Sequence, residues 1–186
     1  MFMPLSRQAI GDCCLLILGA FLYTIAAPPY EWTSAAWLAL TPLYLVLQHK
    51  TPRSSFVVGL LYGVFFSAGL TSWASSSVST YFSFSFHLAV FFLFLSYCLS
   101  AGFYTGLAAS LSCFLMRSPS PLVRVVGIPA VWVSSEAVRS YVFFGFCWEL
   151  LGYTQYQHLS LIQIVDLTGV YGLSFLLALS SYAAAE

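Results

Sequence analysis

Six long apolar runs separated by turn residues limit the possible folds of this chain more than any other feature. The runs cover residues 10–27, 32–47, 56–73, 87–116, 125–142 and 160–182. A helix needs about 20 apolar residues to cross a hydrocarbon core of about 30 Å. The sequence therefore predicts an all-α integral membrane protein, a bundle of about six transmembrane helices. The second run is short and is also compatible with a tilted or partly re-entrant helix.

The composition supports this class and excludes others. Hydrophobic residues make up 60% of the chain and charged residues 6%, whereas soluble domains carry about 25% charged residues. Binding to nucleic acid needs a basic surface, and the formal net charge is zero, so no nucleic-acid partner is expected. Prolines at 28–29, 52, 119 and 121 mark the breaks between runs, because proline does not continue a helix.

The five cysteines show neither the spacing of a metal site nor that of a disulfide framework, so no metal and no cofactor are expected. Arg7 followed by an apolar run is similar to the start of a signal peptide. No small-residue cleavage site follows it. We therefore interpret the first run as a retained membrane span.

Cationic residues lie in alternate connections between the runs. Arg7, the 49–53 segment, Arg117 and Arg124 are all placed on one side, and the remaining connections contain no cation. Because Lys and Arg in short loops stay cytoplasmic, the sequence predicts cytoplasmic termini and an external 143–159 loop. Residues 1–186 are interpreted as a single polytopic membrane domain.

Two runs carry small residues at a four-residue spacing, which lets helix backbones approach closely in lipid. These are Gly59, Gly63 and Ser67 in the third run, and Gly102, Gly106 and Ser110 in the fourth. We predict that both stripes lie at helix contacts; the alternative is that glycine is simply frequent in membrane helices. The Ser-rich segment 75–85 is interpreted as a solvated loop rather than a pore lining.

Charge, aromatic residues and turn residues are concentrated in segment 129–155. Glu136 and Arg139 are three residues apart and share one helix face. A charge in hydrocarbon costs about 2.5–3.5 kcal/mol, so such a pair indicates a functional or pairing site. The helical rise places Arg139 roughly 21 Å above the cytoplasmic edge of the core, level with Asp166 at about 10 Å below the outer edge. We therefore predict a buried network in which Arg139 lies between Glu136 and Asp166. In the alternative, Arg139 snorkels to water and Asp166 pairs with Gln163 or a tyrosine.

Four motifs, in this order, carry a resemblance to a known family. They are 129–132 (Pro-Ala-Val-Trp) with Glu136 and Arg139, Gly145-Phe146 with Trp148, 151–155 (Leu-Gly-Tyr-Thr-Gln), and 169–175 (Gly-Val-Tyr-Gly-Leu-Ser-Phe). Together with segments 27–32 and 59–73, they resemble the membrane domain of bacterial apolipoprotein N-acyltransferases. The resemblance covers essentially the whole chain.

The resemblance implies an enzyme of the bacterial inner membrane that moves an acyl chain from a phospholipid to the N-terminal cysteine amine of a lipoprotein. In that family an external nitrilase-like domain performs the chemistry with a Glu-Lys-Cys triad, through a thioester. The 186 residues end before such a domain, so no catalytic residue is expected here. Membrane anchoring and access for lipid or substrate are the expected roles. For access we single out Trp148, Glu149, Tyr153 and Gln155.

The chain departs from the family pattern at two positions of the outer loop. Cys147 stands where the family usually has proline, and Glu149 where neutral residues are common. The triad is not expected within the chain, because Lys50, its only lysine, is predicted to lie across the membrane from both. A site built from Cys147, His158 and Glu149 is a minor alternative.

The sequence is also compatible with other interpretations. Six spans return the C-terminus to the cytoplasm, so an external domain would need a seventh span after Glu186. A truncated domain, a degenerate product or half of a split enzyme is therefore expected. The competing functions are a small transporter or lipid-binding membrane protein, with Glu136, Arg139 and Asp166 lining a path, and an inactive partner subunit. The two halves lack the internal similarity of many transporters.

Overall fold

The computed structural model describes residues 7–142 and 147–186, which form helices and turns without a β-strand. The α-helices are α1 (Arg7–Ala26), α2 (Thr41–Leu47), α3 (Pro52–Leu70), α4 (Ala74–Phe82), α5 (Phe86–Tyr97), α6 (Phe103–Leu115), α7 (Pro121–Tyr141), α8 (Leu159–Ile162), α9 (Val165–Thr168) and α10 (Val170–Ala183). Two 3₁₀ helices, Thr33–Leu38 and Leu151–Gln155, precede α2 and α8, and a π-helical turn, Cys98–Gly102, joins α5 to α6. The predicted all-α class is confirmed for this part of the chain.

Proline and hydroxyl residues determine where the helices begin. α3 starts at Pro52, which lacks the N–H group that would have no partner at the first helical position. The Thr51 hydroxyl accepts a hydrogen bond from Ser54 N at 3.3 Å, and the Ser54 hydroxyl accepts one from Thr51 N at 3.0 Å. α7 likewise starts at Pro121. The predicted breaks near residues 52 and 121 are therefore helix starts.

The number of long apolar helices is smaller than the six spans predicted. Among residues 7–142 and 147–186, four are long and apolar enough to cross a membrane: α1, α3, the continuous stretch Phe86–Leu115, and α7. A bent pair, Leu159–Thr168 with Val170–Ala183, gives a possible fifth. The predicted second span corresponds to Thr33–Leu47, which is too short to be counted. The structure thus supports four or five spans by length and composition.

A glycine explains the break in the last span. Gly169 has φ 65° and ψ 178°, a backbone conformation that is essentially restricted to glycine. The chain bends by 116° between the two helical segments at this point. The continuous helix assumed for residues 160–182 is therefore absent.

The two small-residue stripes meet where α3 packs against α6 and the π-helical turn. A Cβ atom added to Gly59 would lie 2.9 Å from Gly106 Cα, and one added to Gly63 would lie 2.8 Å from Ala101 O. The Thr105 hydroxyl donates to Gly59 O at 2.8 Å across the same contact. The prediction that both stripes lie at helix contacts is confirmed.

Cationic side chains gather at one end of the bundle, which we call the cation end (Lys50, Arg117 and Arg124). Lys50 Nζ lies 2.5 Å from Asp12 Oδ2, and Arg117 Nη2 donates to Lys50 O at 3.1 Å. Arg124 Nη2 lies 2.9 Å from Glu186 Oε1. The predicted grouping of the 49–53 and 117–124 connections is therefore confirmed. Their position relative to the cytoplasm stays a prediction.

The Ser-rich segment is a helix, so its interpretation as a loop was wrong. Residues Ala74–Phe82 form α4, which has no buried residue and packs along the start of α5. The turn after it is closed by the Ser79 hydroxyl, which donates to Phe84 O at 2.8 Å. Ser85 then caps α5 by accepting from Leu88 N. The serine-rich composition suggests a loop, but these serines lie in a short helix.

Candidate functional site

An ion pair joins the last turn of α7 to the loop that follows it. Arg139 Nη1 lies 2.7 Å from Glu149 Oε2, and Arg139 Nη2 donates to the Glu149 backbone oxygen at 2.9 Å. Both residues are buried, with exposures of 4% and 2%. Arg139 thus fixes both the side chain and the backbone of Glu149. The aromatic and glycine residues 143–146 of the predicted outer loop lie outside the described residues.

Glu136, one turn before Arg139 on α7, holds the next part of the loop. Its Oε1 accepts hydrogen bonds from Trp132 Nε1 at 3.0 Å and from Leu151 N at 2.8 Å. Leu151 is the first residue of the 3₁₀ helix Leu151–Gln155, so the carboxylate binds the N-terminus of a helical segment, where negative charge is favourable. The two charges of α7 therefore position consecutive pieces of the same loop.

Three other helices complete this arrangement. The Ser67 hydroxyl of α3 donates to Glu149 Oε2 at 2.8 Å, and the Tyr23 hydroxyl of α1 donates to Glu149 O at 2.8 Å. Gly152 N donates to the Ser174 hydroxyl of α10 at 2.9 Å. Close approach requires glycine here, because a Cβ on Gly152 would lie 2.6 Å from Val170 O. We call Arg139, Glu149, Glu136, Ser67 and Tyr23 the outer network.

Burial determines how much the outer network contributes to stability. A buried ion pair gains little over apolar packing, but removing one partner leaves a buried charge at a cost of about 3–5 kcal/mol. Each carboxylate here has at least two hydrogen-bond donors, as a buried charge requires. The network therefore holds the loop in one geometry.

The predicted partner of Arg139 was wrong. Its carboxylate partner is Glu149, whereas Asp166 is exposed and lies in the four-residue helix α9. The error follows from the Gly169 break, since the depth of Asp166 was counted along a continuous last span. Glu136 and Arg139 are buried in one polar network, as predicted. Asp166 is exposed and is not part of that network.

Beside the network lies a cavity of about 160 Å³, which we call the outer cleft. The rings of Trp73 and Trp148 stack at its rim, with centroids 6.4 Å apart. Thr71 Oγ1 and Tyr97 OH lie 2.8 Å apart behind the rim. The residues that line the cleft include Tyr23, Leu70, Thr71, Trp73, Trp148, Glu149 and Tyr153.

The structure brings together three of the four residues singled out for access. Trp148, Glu149 and Tyr153 line the outer cleft. Gln155 is fully buried behind the lining residue Thr154, and its amide donates to Thr33 O at 2.9 Å and to Thr154 Oγ1 at 3.0 Å. Gln155 therefore ties the loop to the turn after α1. A role in access for the other three residues stays a prediction.

Further contacts join the loop to the turn after α1. The Tyr156 hydroxyl donates to the Glu31 carboxylate, and this hydrogen bond lowers the pKa of the Glu31 carboxyl. His158 Nε2 lies 2.7 Å from the Thr33 hydroxyl. His158 is thus engaged with the turn, and Glu149 with Arg139, so the structure does not assemble the alternative site with Cys147.

Neither a catalytic triad nor a metal centre is visible in this part of the molecule. Lys50 is paired with Asp12 at the cation end, the opposite end of the bundle from Glu149. Among residues 7–142 and 147–186, no three His, Cys, Asp or Glu side chains are grouped closely enough to hold a metal ion. The outer cleft offers aromatic rings and hydroxyl groups beside a buried carboxylate.

Sequence reasoning missed several residues of this site, namely Tyr23, Ser67, Thr71 and Trp73. Each is a polar or amphipathic residue near the end of an apolar run, at the level where the outer loop packs. The available signal was that a buried hydroxyl in an apolar helix needs a partner. Ser67 was assigned only to the small-residue stripe of α3, although its hydroxyl also binds Glu149.

Comparison with known proteins agrees with the motif resemblance. Residues 19–183 match the sequence model of the family described as "Apolipoprotein N-acyltransferase N-terminal domain". An apolipoprotein N-acyltransferase of Geobacter metallireducens is 36% identical over 172 residues, covering 91% of this chain and 32% of the relative. The apolipoprotein N-acyltransferase of Azotobacter vinelandii is 36% identical, covering 92% of this chain and 33% of the relative. That of Pseudomonas paraeruginosa is 35% identical, covering 95% of this chain and 34% of the relative. The chain spans about a third of the length of these curated relatives.

Proposed function

Because the chain belongs to the apolipoprotein N-acyltransferase N-terminal domain family, we propose that it forms the membrane domain of such an enzyme. The reaction is transfer of an acyl chain from phospholipid to the N-terminal cysteine amine of a lipoprotein. The proposed contribution of these 186 residues is membrane anchoring together with access for lipid and substrate. The observation that carries the proposal is the outer cleft, an aromatic recess beside the buried Arg139–Glu149 pair.

The proposed setting is the bacterial inner membrane, with the cation end in the cytoplasm. The positive-inside rule supports this orientation. Asp12 near the start of α1 contacts Lys50, and Glu186 contacts Arg124, so both ends of the described chain lie at the cation end. That requires an even number of passes. We propose six, in which the short Thr33–Leu47 segment and the bent α8–α10 segment each complete one crossing.

The cleft has features suited to lipid. Trp and Tyr favour membrane interfaces because they combine an apolar ring with a polar group. Trp73 and Trp148 stack at the rim, and Tyr153 and Thr71 add hydroxyl groups to the lining. Glu149 Oε1 is buried and has no hydrogen-bond partner among the described residues. It leaves one acceptor beside the cleft for a polar group of a bound molecule.

The covalent step is proposed to depend on residues outside this chain. A thiolate nucleophile needs a base within hydrogen-bond reach, and the only lysine is held by Asp12 at the cation end. The nitrilase-like Glu-Lys-Cys domain is expected to be contributed by another part of the enzyme or by a partner chain. The lipoprotein substrate would be acylated there.

The transporter alternative loses the feature on which it depended. It required Glu136, Arg139 and Asp166 to line a path, but the first two bind the outer loop and the third is exposed. Glu136 Oε1 accepts from Leu151 N, and Arg139 pairs with Glu149, so both charges hold the loop rather than line an open path.

Photo-crosslinking tests the access role. The chain would be reconstituted in phosphatidylcholine vesicles that contain a photoactivatable phosphatidylethanolamine, illuminated, and mapped by mass spectrometry. We expect adducts on peptides containing Trp73, Trp148 or Tyr153, reduced several-fold by Trp148→Ala. Trp32→Ala is the matched control, because Trp32 is as exposed as Trp148 (70% and 67%) and does not line the cleft. Adducts confined to the surface of α5 and α6, or unchanged by Trp148→Ala, would reject the access role.

An acylation assay tests the division of labour. Purified residues 1–186 are expected not to acylate a diacylated lipopeptide under conditions in which the full-length Geobacter metallireducens relative does. N-acylation by the chain alone that disappears in Cys147→Ala would show that a nucleophile exists within these residues, contrary to the proposal.

A further inference from the structure

The stretch Phe86–Leu115 is much longer than the helix against which it packs. It contains 30 residues, whereas α3 contains 19. At about 1.5 Å per residue these lengths are about 45 Å and 28 Å. α3 is therefore about as long as a hydrocarbon core of about 30 Å is thick, and the longer stretch exceeds that thickness by about ten residues.

Contacts between the two antiparallel helices show at which end the excess lies. The Ser110 hydroxyl donates to Pro52 O at 2.8 Å near the start of α3, and Tyr97 OH lies 2.8 Å from Thr71 Oγ1 just past its end. The end of α3 is therefore level with Tyr97. Residues 86–96 continue beyond it by about 15 Å, at the end opposite the cation end.

α4 runs back along this extension and forms a helical hairpin with it. The Ser79 hydroxyl closes the turn on Phe84 O, and Phe84 stacks on Phe92 with centroids 5.6 Å apart. We call residues 74–95 the aromatic hairpin. α1 and α7 do not rise beside it, because Thr24 of α1 contacts Gly69, and Arg139 of α7 is joined through Glu149 to Ser67.

The exposed surface of the hairpin indicates what surrounds it. Leu88 and Val90 are exposed (41% and 43%), and two residues of separation place their side chains about 160° apart around the helix. The exposed residues Phe91, Phe94 and Leu95 lie within that 160° arc, and the exposed residues Phe86 and Phe92 lie on the other side of the helix. Residues 71–116 contain no Asp, Glu, Lys or Arg. A helix that is apolar on nearly all sides is suited to lipid, whereas a docked protein would cover one side.

We propose that the aromatic hairpin is embedded in the interfacial layer of the membrane, on the side opposite the cation end. One headgroup layer adds only about 5–7.5 Å to the core. The hairpin therefore fits in the membrane when the start of α3, beside Lys50 and Arg117, lies in the headgroup layer at the cation end. The Phe86–Leu115 stretch then crosses the core and both headgroup layers, about 40–45 Å in all. Trp73 and Tyr81 at the two ends of α4 are residues that favour this layer. The polar Ser76 and Thr80 of α4 then face headgroups. Because no charge is involved, the embedding is independent of anionic lipid.

This placement has a consequence for the outer cleft. The cleft lies near the end of α3, where Thr71 and Trp73 line it. The hairpin rises about 15 Å above that level, so the cleft lies below the headgroup surface and faces acyl chains. The depth of the hairpin in the membrane does not depend on the proposed acyl transfer.

Spin-label accessibility tests the placement in the full chain. Single labels at Leu88→Cys and Val90→Cys, in a background with the five cysteines replaced by serine, would be measured in phosphatidylcholine vesicles against oxygen and a water-soluble nickel complex. Leu107→Cys, which is exposed on α6, is the membrane control, and Pro119→Cys in the α6–α7 connection is the aqueous control. We expect both hairpin labels to favour oxygen over nickel, as the Leu107→Cys label does, with no change when phosphatidylglycerol is added.

Other outcomes overturn the proposal. A nickel preference at both hairpin positions would place the hairpin in water. Immobilisation of one label with nickel access at the other would indicate a protein partner or a second copy on one side. If the cysteine-free background does not fold, p-benzoylphenylalanine at Phe91 in the native sequence gives the same decision: lipid adducts support the placement, and protein adducts alone, or no adducts, reject it.

Discussion

The two ends of the bundle both use ion pairs, but in different environments. At the cation end, the Lys50 and Asp12 side chains are 23% and 12% exposed, and those of Arg124 and Glu186 are 27% and 43% exposed. At the outer end, the Arg139 and Glu149 side chains are 5% and 1% exposed. Both ends pair a cationic side chain with a carboxylate. The pair at the outer end is shielded from solvent far more than the pairs at the cation end.

This contrast indicates different roles for the two ends. Partly exposed ion pairs are screened by salt more strongly than fully buried ones, so the cation-end pairs are expected to contribute less to stability. A buried pair that loses one partner leaves an uncompensated charge. The outer network therefore fixes the geometry of the cleft, and the cation-end pairs are expected to hold their surroundings less tightly.

The largest expected effect comes from breaking the buried pair. Arg139→Ala leaves the Glu149 carboxylate without its cation and should lower the free energy of unfolding by about 3–5 kcal/mol. Denaturant titration in mixed micelles measures this change. Arg53→Ala, at an exposed cation of the other end, is expected to change stability by less than about 0.5 kcal/mol. Equal losses in the two variants would remove the distinction between the ends.

Removing one hydrogen bond of the outer network should have a smaller effect. Ser67→Ala deletes a donor to a buried carboxylate, worth about 1.5–3 kcal/mol. Ser100→Ala is the matched control, since that exposed hydroxyl binds only Ser96 O of its own helix. A loss for Ser67→Ala no larger than that of its control would show that Glu149 does not need this donor.

The α3–α6 contact tests whether rigidity extends from the network into the bundle. Gly63→Ala places a Cβ within 2.8 Å of Ala101 O and Gly102 Cα, and overpacking of this kind costs about 1–3 kcal/mol. Gly11→Ala should instead be neutral or stabilising by up to about 1 kcal/mol, because nothing lies within 4 Å. Thermal unfolding in detergent distinguishes the two, and destabilisation by Gly11→Ala would contradict this assignment.

The smallest expected effect is at the cation end. Lys50→Met removes a partly exposed partner of Asp12 and should lower stability by about 1 kcal/mol or less. Unfolding in low and high salt checks the cause, because added salt should reduce the difference from the native chain. A loss as large as that of Arg139→Ala, and insensitive to salt, would show that this pair behaves as a buried one.

Features with a local signature could be predicted from the sequence. The stripes of Gly59, Gly63 and Gly106 follow a fixed helical spacing, so their contact was predicted without knowledge of the fold. The connections containing Lys50 and Arg117 could be grouped because the charge of each loop is evident from its own residues. The motifs that indicated the family are likewise short and ordered.

Features that depend on a backbone break or a distant contact could not be predicted in the same way. Asp166 was assigned to the buried network because a single helix was assumed, and the φ of 65° at Gly169 ends that helix. Glu149 was singled out for access, but its pairing with Arg139 depends on a loop that returns over α7. α4 was not predicted because serine favours turns and helix caps over helix interiors, so a run of serines indicates a loop.

A pair of double-mutant cycles tests the central claim, that the outer pair holds the loop whereas the cation-end pair does not. One cycle combines Arg139→Ala with Glu149→Ala, and the other combines Lys50→Ala with Asp12→Ala, each measured as a free energy of unfolding in the same micelles. We predict a coupling energy of about 2–3 kcal/mol for the outer pair and below about 1 kcal/mol for the cation-end pair. Equal couplings, or a coupling below about 0.5 kcal/mol between Arg139 and Glu149, would contradict the account.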